Sequence, residues 1–364
     1  MGLTIRWERR HTAPLPSRSS HSATLIGEEM IIIGGESGES SGRCTNDVVA
    51  LHLEKLTWRC LAQEGPAPCA RLGHAACSVE GSAATLDGAE VWLFGGGDGK
   101  VLLRDLWALA PAACVWRSPK CNGARPAARI GHALAHLTLR DALISCGGFL
   151  KGVAGGYSMQ VMLLELPSLT WANVQTRPAV GGVMPSGRLG AAICPTDGGR
   201  RVLLFGGSAF GTLLEETLSL DTDAMTFSQL ELSSPAGKTF PLARANGVAV
   251  AAPPYVLHVG GHGGAEAEAP ALDALDLQRR CWAVPTLEGK SLLPACRQKH
   301  SLVAARSVAA DGTTEVKAYV WGGDEQGERS ASDQILCLTI RTGQPQLPQL
   351  VRPAGSESSE GMTR

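Results

Sequence analysis

The chain has 364 residues, a formal net charge of −1 and 18% charged residues. This balance gives no bulk electrostatic reason to expect binding to nucleic acid or to an anionic membrane surface. Glycine and proline occur 44 and 21 times, which is typical of many short strands joined by turns.

The N-terminal residues come first in chain order. Leu3 to Trp7 predict a strand, and no apolar run near them is long enough for a signal peptide or a transmembrane helix. The chain's 11 cysteines include no C-x-x-C pair, and Cys77 and Cys146 lie inside apolar runs. These features predict a reducing compartment and a cytoplasmic location, with the nucleus left open.

A double glycine recurs along the rest of the chain. Successive copies begin between 52 and 62 residues apart, and each follows a nearly continuous apolar run, as expected of a strand buried on both faces. The copies are Gly34-Gly35, Gly95-Gly96, Gly147-Gly148, Gly206-Gly207, Gly260-Gly261 and Gly322-Gly323. A period of this length with strand-like content predicts a β-propeller rather than a helical solenoid.

Other residues keep fixed positions around each glycine pair. An arginine opens every repeat: Arg18, Arg71, Arg129, Arg188, Arg244 and Arg297. Four of these arginines are followed at the third position by a histidine: His21, His74, His132 and His300. An aromatic residue closes five repeats: Trp58, Trp116, Trp171, Phe227 and Trp282. The sixth repeat has none after it, so the strand at residues 3–7 is predicted to complete the last blade and to close the ring.

The pattern Pro-x-x-Arg-x-x-His, strand, Gly-Gly, Asp-x-x-x-Leu, Trp resembles the kelch repeat, from residue 3 to about residue 341. The resemblance implies an all-β fold, a single six-bladed β-propeller of four-stranded blades. The predicted propeller spans residues 1–341, with repeats starting near residues 16, 68, 126, 185, 241 and 294. Residues 342–364 contain almost no large apolar side chains and are predicted to be a disordered tail.

The motifs that recur in each repeat favour structural roles over chemical ones. A phosphate-binding loop needs a helix after its glycines, and strand-like sequence follows here. The four histidines belong to different blades, whereas metal ligands must converge on one point. They are predicted to hydrogen-bond the backbone of neighbouring blades. No catalytic residue, metal site or cofactor is therefore predicted.

The six arginines and two loop aromatics are the candidate partner-binding residues. A residue repeated in every blade usually serves the blade itself, but a ring of guanidinium groups could also bind a carboxylate. Phe149 and Tyr157 lie in a long glycine-rich loop, where apolar side chains can anchor a partner.

Charge is distributed unevenly among the predicted loops. Acidic residues follow the glycine pairs of repeats five, six and one: Glu266, Glu268, Asp324, Glu325, Glu328, Glu36 and Glu39. Basic residues fall in loops of blades two and three: Arg117, Lys120, Arg125, Lys151 and Arg177. The electric field of a face that is acidic on one side and basic on the other would orient a charged peptide. Ordinary solvated surface charge explains the same residues equally well.

The sequence favours a non-enzymatic scaffold or adaptor, a monomeric propeller that binds a protein or peptide on its loop-bearing face. Neither nucleic acid nor membrane is an expected partner. One alternative is a substrate-recognition subunit for a ubiquitin ligase, which would act through another chain because no BTB, F-box or cullin-box region is predicted. The other alternative is a metal-assisted or sugar-processing propeller enzyme, which would require acids and histidines clustered at the channel mouth.

Overall fold

A computed structural model of the chain describes residues 3–12, 17–37, 43–86, 88–152, 155–234, 243–263, 272–283, 285–288, 297–308, 313–324 and 334–342. The predicted tail lies outside these residues from position 343 onward. The described strands form six sheets of four or five strands, together with four small two-stranded ladders. The predicted fold class, an all-β six-bladed propeller, is confirmed.

Each blade is an antiparallel sheet that is built outward from a central channel. The first, innermost strands are Ser22–Ile26, Ala75–Val79, Ala133–Leu137, Ala192–Thr196, Val248–Ala252 and Ser301–Val308. The second strands are Glu29–Ile33, Glu90–Phe94, Ala142–Cys146, Arg201–Phe205, Tyr255–Val259 and Thr314–Trp321. The third strands are Val48–His52, Leu106–Ala110, Val161–Glu165, Thr217–Asp221, Leu272–Asp276 and Gln334–Thr342. The fourth, outermost strands are Thr57–Cys60, Val115–Arg117, Thr170–Val174, Thr226–Gln229, Cys281–Ala283 and Thr4–Thr12.

The hydrophobic core lies between blades. The second strand Glu90–Phe94 is buried at all five positions, because both of its faces pack against neighbouring sheets. Ile31 and Ile33 of blade one pack with Val91 and Leu93 of blade two in one cluster. Burying a side chain of this size contributes about 1.5–3 kcal/mol, so each interface between blades is a substantial part of the stability.

The N-terminal strand occupies the fourth position of blade six. Thr4–Thr12 runs antiparallel to the third strand of that blade, and Trp7 lies opposite Leu338. In the other blades the closing aromatic also faces a third-strand leucine, as Trp58 faces Leu51 and Trp282 faces Leu275. Trp7 therefore stands at the closing-aromatic position of blade six.

Backbone hydrogen bonds join every blade to the next one. The N–H of the second glycine in each pair donates to the carbonyl of the arginine that opens the following blade, at N···O distances of 2.8–2.9 Å. The donor–acceptor pairs are Gly35–Arg71, Gly96–Arg129, Gly148–Arg188, Gly207–Arg244, Gly261–Arg297 and Gly323–Arg18. The last pair joins blade six to blade one, so the ring is continuous.

Short elements occupy the connections. The two-stranded ladders pair Arg18–Ser19 with Glu36–Ser37, Arg129–Ile130 with Phe149–Leu150, Ser208–Ala209 with Thr212–Leu213, and Arg244–Ala245 with His262–Gly263. Three linker strands, Asn122–Gly123, Arg177–Pro178 and Thr286–Glu288, run parallel to the fourth strand of the next blade. A 3₁₀ turn spans Asp197–Gly199. Within the described ranges, no helix has the length and apolar character needed to cross a membrane.

Candidate functional site: the loop-bearing face

The strand directions place two sets of connections on one face of the propeller. These are the post-glycine loops, between the second and third strands, and the linkers between blades; we call this side the loop-bearing face. The tight hairpins at the other strand ends form the opposite face. Loops on a rigid scaffold are the usual position of binding residues.

A closed hydrogen-bonded ring forms the centre of the loop-bearing face. Each member directly precedes the histidine position of its repeat. The members are Ser20, Gly73, Gly131, Gly190, Asn246 and Lys299. All six have positive φ, between 55° and 66°. Each N–H donates to the carbonyl of its counterpart in the preceding blade, over 2.7–3.0 Å. We call this set the channel-mouth ring.

The channel-mouth ring restricts entry to the channel. Hydrogen-bonded neighbours lie about 5 Å apart, so a ring of six measures roughly 10 Å between opposite Cα atoms, before the thickness of the backbone is taken into account. The cavity beneath has a volume of about 250 Å³ and is lined by the first residues of the innermost strands. A folded partner or a peptide chain would therefore meet the loops and the ring rather than the channel interior.

The two halves of the channel-mouth ring differ in polarity. Blades five, six and one contribute Asn246, Lys299 and Ser20, and the Lys299 Nζ lies 3.2 Å from Asp324 Oδ2. Blades two, three and four contribute only glycines. Aliphatic side chains cover two of these glycines: a Cβ at Gly73 would lie 2.5 Å from Ile130 Cγ1, and one at Gly131 would lie 3.4 Å from Leu189 Cβ. Sequence reasoning missed this ring, although its members are the residues that directly precede the histidine position of each repeat.

The six predicted arginines are buried, with no more than 3% of the surface of any of them exposed. In five blades the Nη1 group donates to the carbonyl of the first glycine of the same blade, over 3.0–3.3 Å. Carboxylates at the start of the third strand bind several of the guanidinium groups. Both Nη groups of Arg71 donate to Asp105, at 2.7 Å each. These contacts show a role within the blade; ligand binding by the arginines stays a prediction.

Blade three departs from the pattern of ion pairs. Arg18, Arg71, Arg188 and Arg244 pair with Asp47, Asp105, Glu216 and Asp273. Arg129 instead donates from Nη2 to the amide oxygen of Gln160, over 2.6 Å, and forms no ion pair within the described part of the chain. Burial lowers the pKa of Arg129 to about 10. Blade three therefore holds a buried cation without a carboxylate beside it.

Two of the predicted candidates, Phe149 and Tyr157, pack together with Phe210, a residue that sequence reasoning missed. The ring centroids of Phe149 and Tyr157 are 5.7 Å apart, and those of Tyr157 and Phe210 are 4.8 Å apart. Phe210 is 70% exposed and Phe149 is 37% exposed. We call these three residues the aromatic cluster. It bridges the post-glycine loops of blades three and four.

Only some of the charged loop residues named from the sequence lie within the described part of the chain. Glu39, Glu266, Glu268, Glu325 and Glu328 lie outside them. Arg117 is paired with Glu90 of its own blade, whereas Lys120, Arg125, Lys151 and Arg177 are exposed. Exposed basic side chains are therefore present in the connections of blades two and three, but Arg177 donates its N–H to the Met225 carbonyl, over 3.1 Å, and so lies beside an opposite-face hairpin.

The four repeated histidines are buried at the interfaces between blades. The imidazole of His74 lies against Gly34 of the preceding blade, where an added Cβ would be 3.1 Å from its Cε1. In two blades serine hydroxyls contact the imidazoles: His21 Nε2 lies 2.7 Å from Ser301 Oγ, and His74 Nε2 lies 2.9 Å from Ser22 Oγ. Among the described residues no group of three or more potential metal ligands comes together.

These histidines are expected to make the propeller sensitive to acid. Burial, assisted by the neighbouring arginines, lowers the pKa of His74 and of His300 to about 3. Both imidazoles stay neutral in the fold while the unfolded chain takes up protons below about pH 6.5. Stability is therefore lost as the pH falls from 6.5 towards 3, by about 2 kcal/mol per histidine at pH 5.

Urea unfolding at pH 7.5 and at pH 5.0 measures this loss. His74→Gln should reduce the difference between the two pH values by about 2 kcal/mol. Leu139→Gln, in an exposed hairpin on the opposite face, is the control without a titratable group and should leave the difference as in the wild type. An unchanged difference in His74→Gln would contradict the assignment.

Comparison with known proteins agrees with this geometry. Residues 4–179 match the family model of the KLHDC2/KLHL20/DRC7 Kelch-repeats domain. The chain is 28% identical over 243 residues to the Leucine-zipper-like transcriptional regulator 1 homolog of Drosophila melanogaster, covering 63% of this chain and 23% of that protein. It is 26% identical over 206 residues to the Rab9 effector protein with kelch motifs of Xenopus laevis, covering 57% and 51%. It is 31% identical over 129 residues to the Host cell factor of Drosophila melanogaster, covering 29% and 8%.

Six four-stranded blades, each with its glycine pair and closing aromatic, define a β-propeller of the kelch class. Residues 4–179 match a kelch-repeat family model, and the described blades repeat the same architecture around the whole ring. The chain spans between 8% and 51% of the lengths of the three relatives described above. What these longer proteins do as wholes therefore enters only as a proposal.

Proposed function

We propose that this chain is a non-enzymatic interaction module that binds a protein or peptide on its loop-bearing face. The channel-mouth ring carries this proposal, because it closes the centre of the face with backbone hydrogen bonds of 2.7–3.0 Å. The six arginines are buried beneath the same face. The post-glycine loops and linkers are then the surface that a partner would contact.

Exposed apolar side chains on these loops support the proposal. Val101, in the post-glycine loop of blade two, is 50% exposed, and Val183, in the linker before blade four, is 89% exposed. Exposed apolar residues of this size are typical anchors in interfaces. The Xenopus relative is named as an effector of Rab9, a name that also supports a protein partner for the shared propeller.

Partner capture with matched surface variants tests the proposal. The double variant Val101→Glu/Val183→Glu places two charges on the loop-bearing face. Leu86→Glu/Leu139→Glu is the matched control, because both leucines lie in hairpins on the opposite face and are 69% and 66% exposed. Proteins that co-purify with the wild type should fall roughly tenfold with the first variant, as expected when interface anchors are lost, and persist with the second.

Quantitative mass spectrometry of the purified complexes measures the result, and thermal melting checks that both variants fold. Partners that are retained by Val101→Glu/Val183→Glu but lost by the control would place binding on the opposite face and overturn the proposal.

A further inference from the structure

We propose that the loops of blades three and four form a docking surface for an acidic peptide segment that carries an aromatic or aliphatic side chain. The inference rests on the proposed function and adds to it the position and chemistry of the partner. Two independent observations carry it: an exposed, ordered aromatic cluster, and an excess of positive charge beside it.

The aromatic cluster is held in place before any partner arrives. Tyr157 lies between Phe149 and Phe210, in edge-to-face and tilted contacts. Glycines make this packing possible: a Cβ at Gly155 would lie 2.7 Å from the Phe210 ring, and one at Gly156 would lie 2.1 Å from the Phe149 ring. Because the rings are already ordered, a ligand loses less free energy in fixing them than it would on mobile side chains.

Phe210 stands at a position where turn chemistry favours other residues. It and Gly211 connect two short strands, with φ angles of 51° and 82°. A two-residue turn with positive φ at both positions favours Asn-Gly or Asp-Gly, and a bulky residue there is a genuine outlier. The chain nevertheless presents a phenylalanine that is 70% exposed. Leu56, Leu169 and Met225 take similar φ angles in hairpins of this chain but are partly buried, so the exposure of its ring distinguishes Phe210.

Positive charge lies at the base of the same loop. The Arg129 guanidinium contacts both ends of the loop, through the Gly147 carbonyl at 3.3 Å and the Gln160 side chain at 2.6 Å. Between these ends the sequence contains one charged residue, the exposed Lys151, and no acid. A buried cation without a carboxylate projects its field through a medium of low dielectric constant.

The surrounding segments leave this positive charge uncompensated. In the blade-four loop, Glu216 is already paired with Arg188, at 2.8 Å, which leaves Glu215 as the single exposed acid of that loop. Arg129 and Lys151 therefore face one opposing charge, and an acidic segment is the complementary ligand.

The same charges disfavour a second copy of the chain as the occupant. A two-fold symmetric contact places each residue of the patch opposite the same patch of the other copy. Lys151 and Arg129 would then approach their own counterparts, and like charges brought together across an interface destabilise it. An acidic partner with an apolar side chain can pack on the aromatic cluster and also complement the positive charge beside it.

Selection from a phage-displayed library of 12-residue random peptides on the full chain tests the inference. Enriched sequences should combine Asp or Glu with Phe, Trp, Leu or Ile. Fluorescein-labelled copies of the most enriched sequences then serve as probes in fluorescence polarisation. Two variants separate the two contributions: Phe210→Asn removes the anchor and restores the preferred turn residue, and Gln160→Glu supplies the carboxylate that pairs with the arginine in four other blades.

Both variants are expected to melt at or above the wild-type temperature, because Asn is a preferred residue in this turn and a carboxylate at position 160 can pair with the buried Arg129. Phe210→Asn should weaken probe binding at least tenfold, as expected for an aromatic anchor, and Gln160→Glu should weaken it roughly fivefold. Leu86→Asn, at the exposed leucine of the opposite face, is the matched control and should leave binding unchanged.

Each other outcome decides against the inference in a distinct way. Neutral or basic enriched peptides, or full binding to Gln160→Glu, would overturn the acidic partner. Full binding to Phe210→Asn would overturn the aromatic cluster as the anchor. If such probes are instead lost with Val101→Glu/Val183→Glu, the proposed function survives at another part of the face. An absence of any enriched peptide, while captured proteins still depend on that face, would likewise overturn this inference alone.

Discussion

Gly206→Ala is expected to destabilise the propeller by roughly 4 kcal/mol, whereas Gly27→Ala should cost only about 1 kcal/mol. The two glycines have almost the same backbone conformation, with φ of 58° and 56°. They differ in their surroundings. A Cβ at Gly206 would lie 2.3 Å from the Arg244 carbonyl oxygen of the next blade, whereas nothing lies within 4 Å of a Cβ at Gly27.

The physical reason is the close approach of two blades at the glycine pair. The Gly207 N–H donates to the same Arg244 carbonyl, over 2.8 Å, so an alanine at position 206 must push apart two backbones that are hydrogen-bonded. The variant therefore adds steric overlap and a weakened buried hydrogen bond to the cost of a left-handed alanine. Gly27→Ala incurs the left-handed cost alone.

Urea denaturation of the two variants and the wild type, at pH 7.5, measures the difference. Equal losses in Gly206→Ala and Gly27→Ala would mean that the glycine pair serves backbone conformation only and that the blades do not need their close contact. The comparison is clean because both substitutions add the same single carbon.

The propeller could be predicted because its determinants repeat. Each Gly-Gly copy confirms the others, and the arginines and closing aromatics keep a constant offset from them. Trp7 illustrates the strength of this signal. Because the last repeat lacks a closing aromatic, the sequence predicts that the N-terminal strand completes it. In the structure Trp7 faces Leu338 as Trp282 faces Leu275. Equivalent positions in different blades substitute for an alignment of relatives.

The candidate docking surface depends on residues that do not repeat, and sequence reasoning recovered it only in part. Phe149 and Tyr157 were recognisable as apolar residues in a long loop. Phe210 was not, because its partner Tyr157 belongs to another blade and only the fold brings the two rings to 4.8 Å. Gln160 did leave a signal, since it occupies the place of Asp47 and Asp105 immediately before the third strand.

Blade five shows why the partner of each arginine could not be read from the alignment of repeats alone. Ala271 stands where other blades have an acid, and Asp273, two residues further on, pairs with Arg244 from inside the third strand. Burial raises the pKa of Asp273 to about 6, against the opposing effect of Arg244. Two blades thus depart from the ion pair between the arginine and the acid before the third strand. Blade five has its carboxylate two residues further along, and blade three has an amide in its place.

Arg71→Met is expected to destabilise the fold by about 3 kcal/mol, whereas Arg59→Met should cost less than about 1 kcal/mol. Arg71 is 1% exposed, and its loss leaves the Gly95 carbonyl without this donor and the half-buried Asp105 carboxylate with Trp107 Nε1 but no cation beside it. Arg59 pairs with Glu29 at the surface, where water replaces the lost contact. The expected cost at Arg71 is below that of a fully buried pair, because 37% of the Asp105 side chain is exposed.

The pH dependence of the stability lost in Arg71→Met shows whether Arg71 stabilises the blade through Asp105 or is available to bind a ligand. Burial works to raise the pKa of Asp105, but the hydrogen bonds and charge of Arg71 outweigh it and hold that pKa below its usual value. A lowered pKa contributes stability that is present above about pH 4 and is lost as the pH falls further. The gap between wild type and Arg71→Met should therefore narrow in urea titrations below pH 4. A gap that stays constant with pH, or a variant as stable as Arg59→Met, would mean that the Asp105 pair adds little to the blade and would leave the guanidinium available for a carboxylate from a partner.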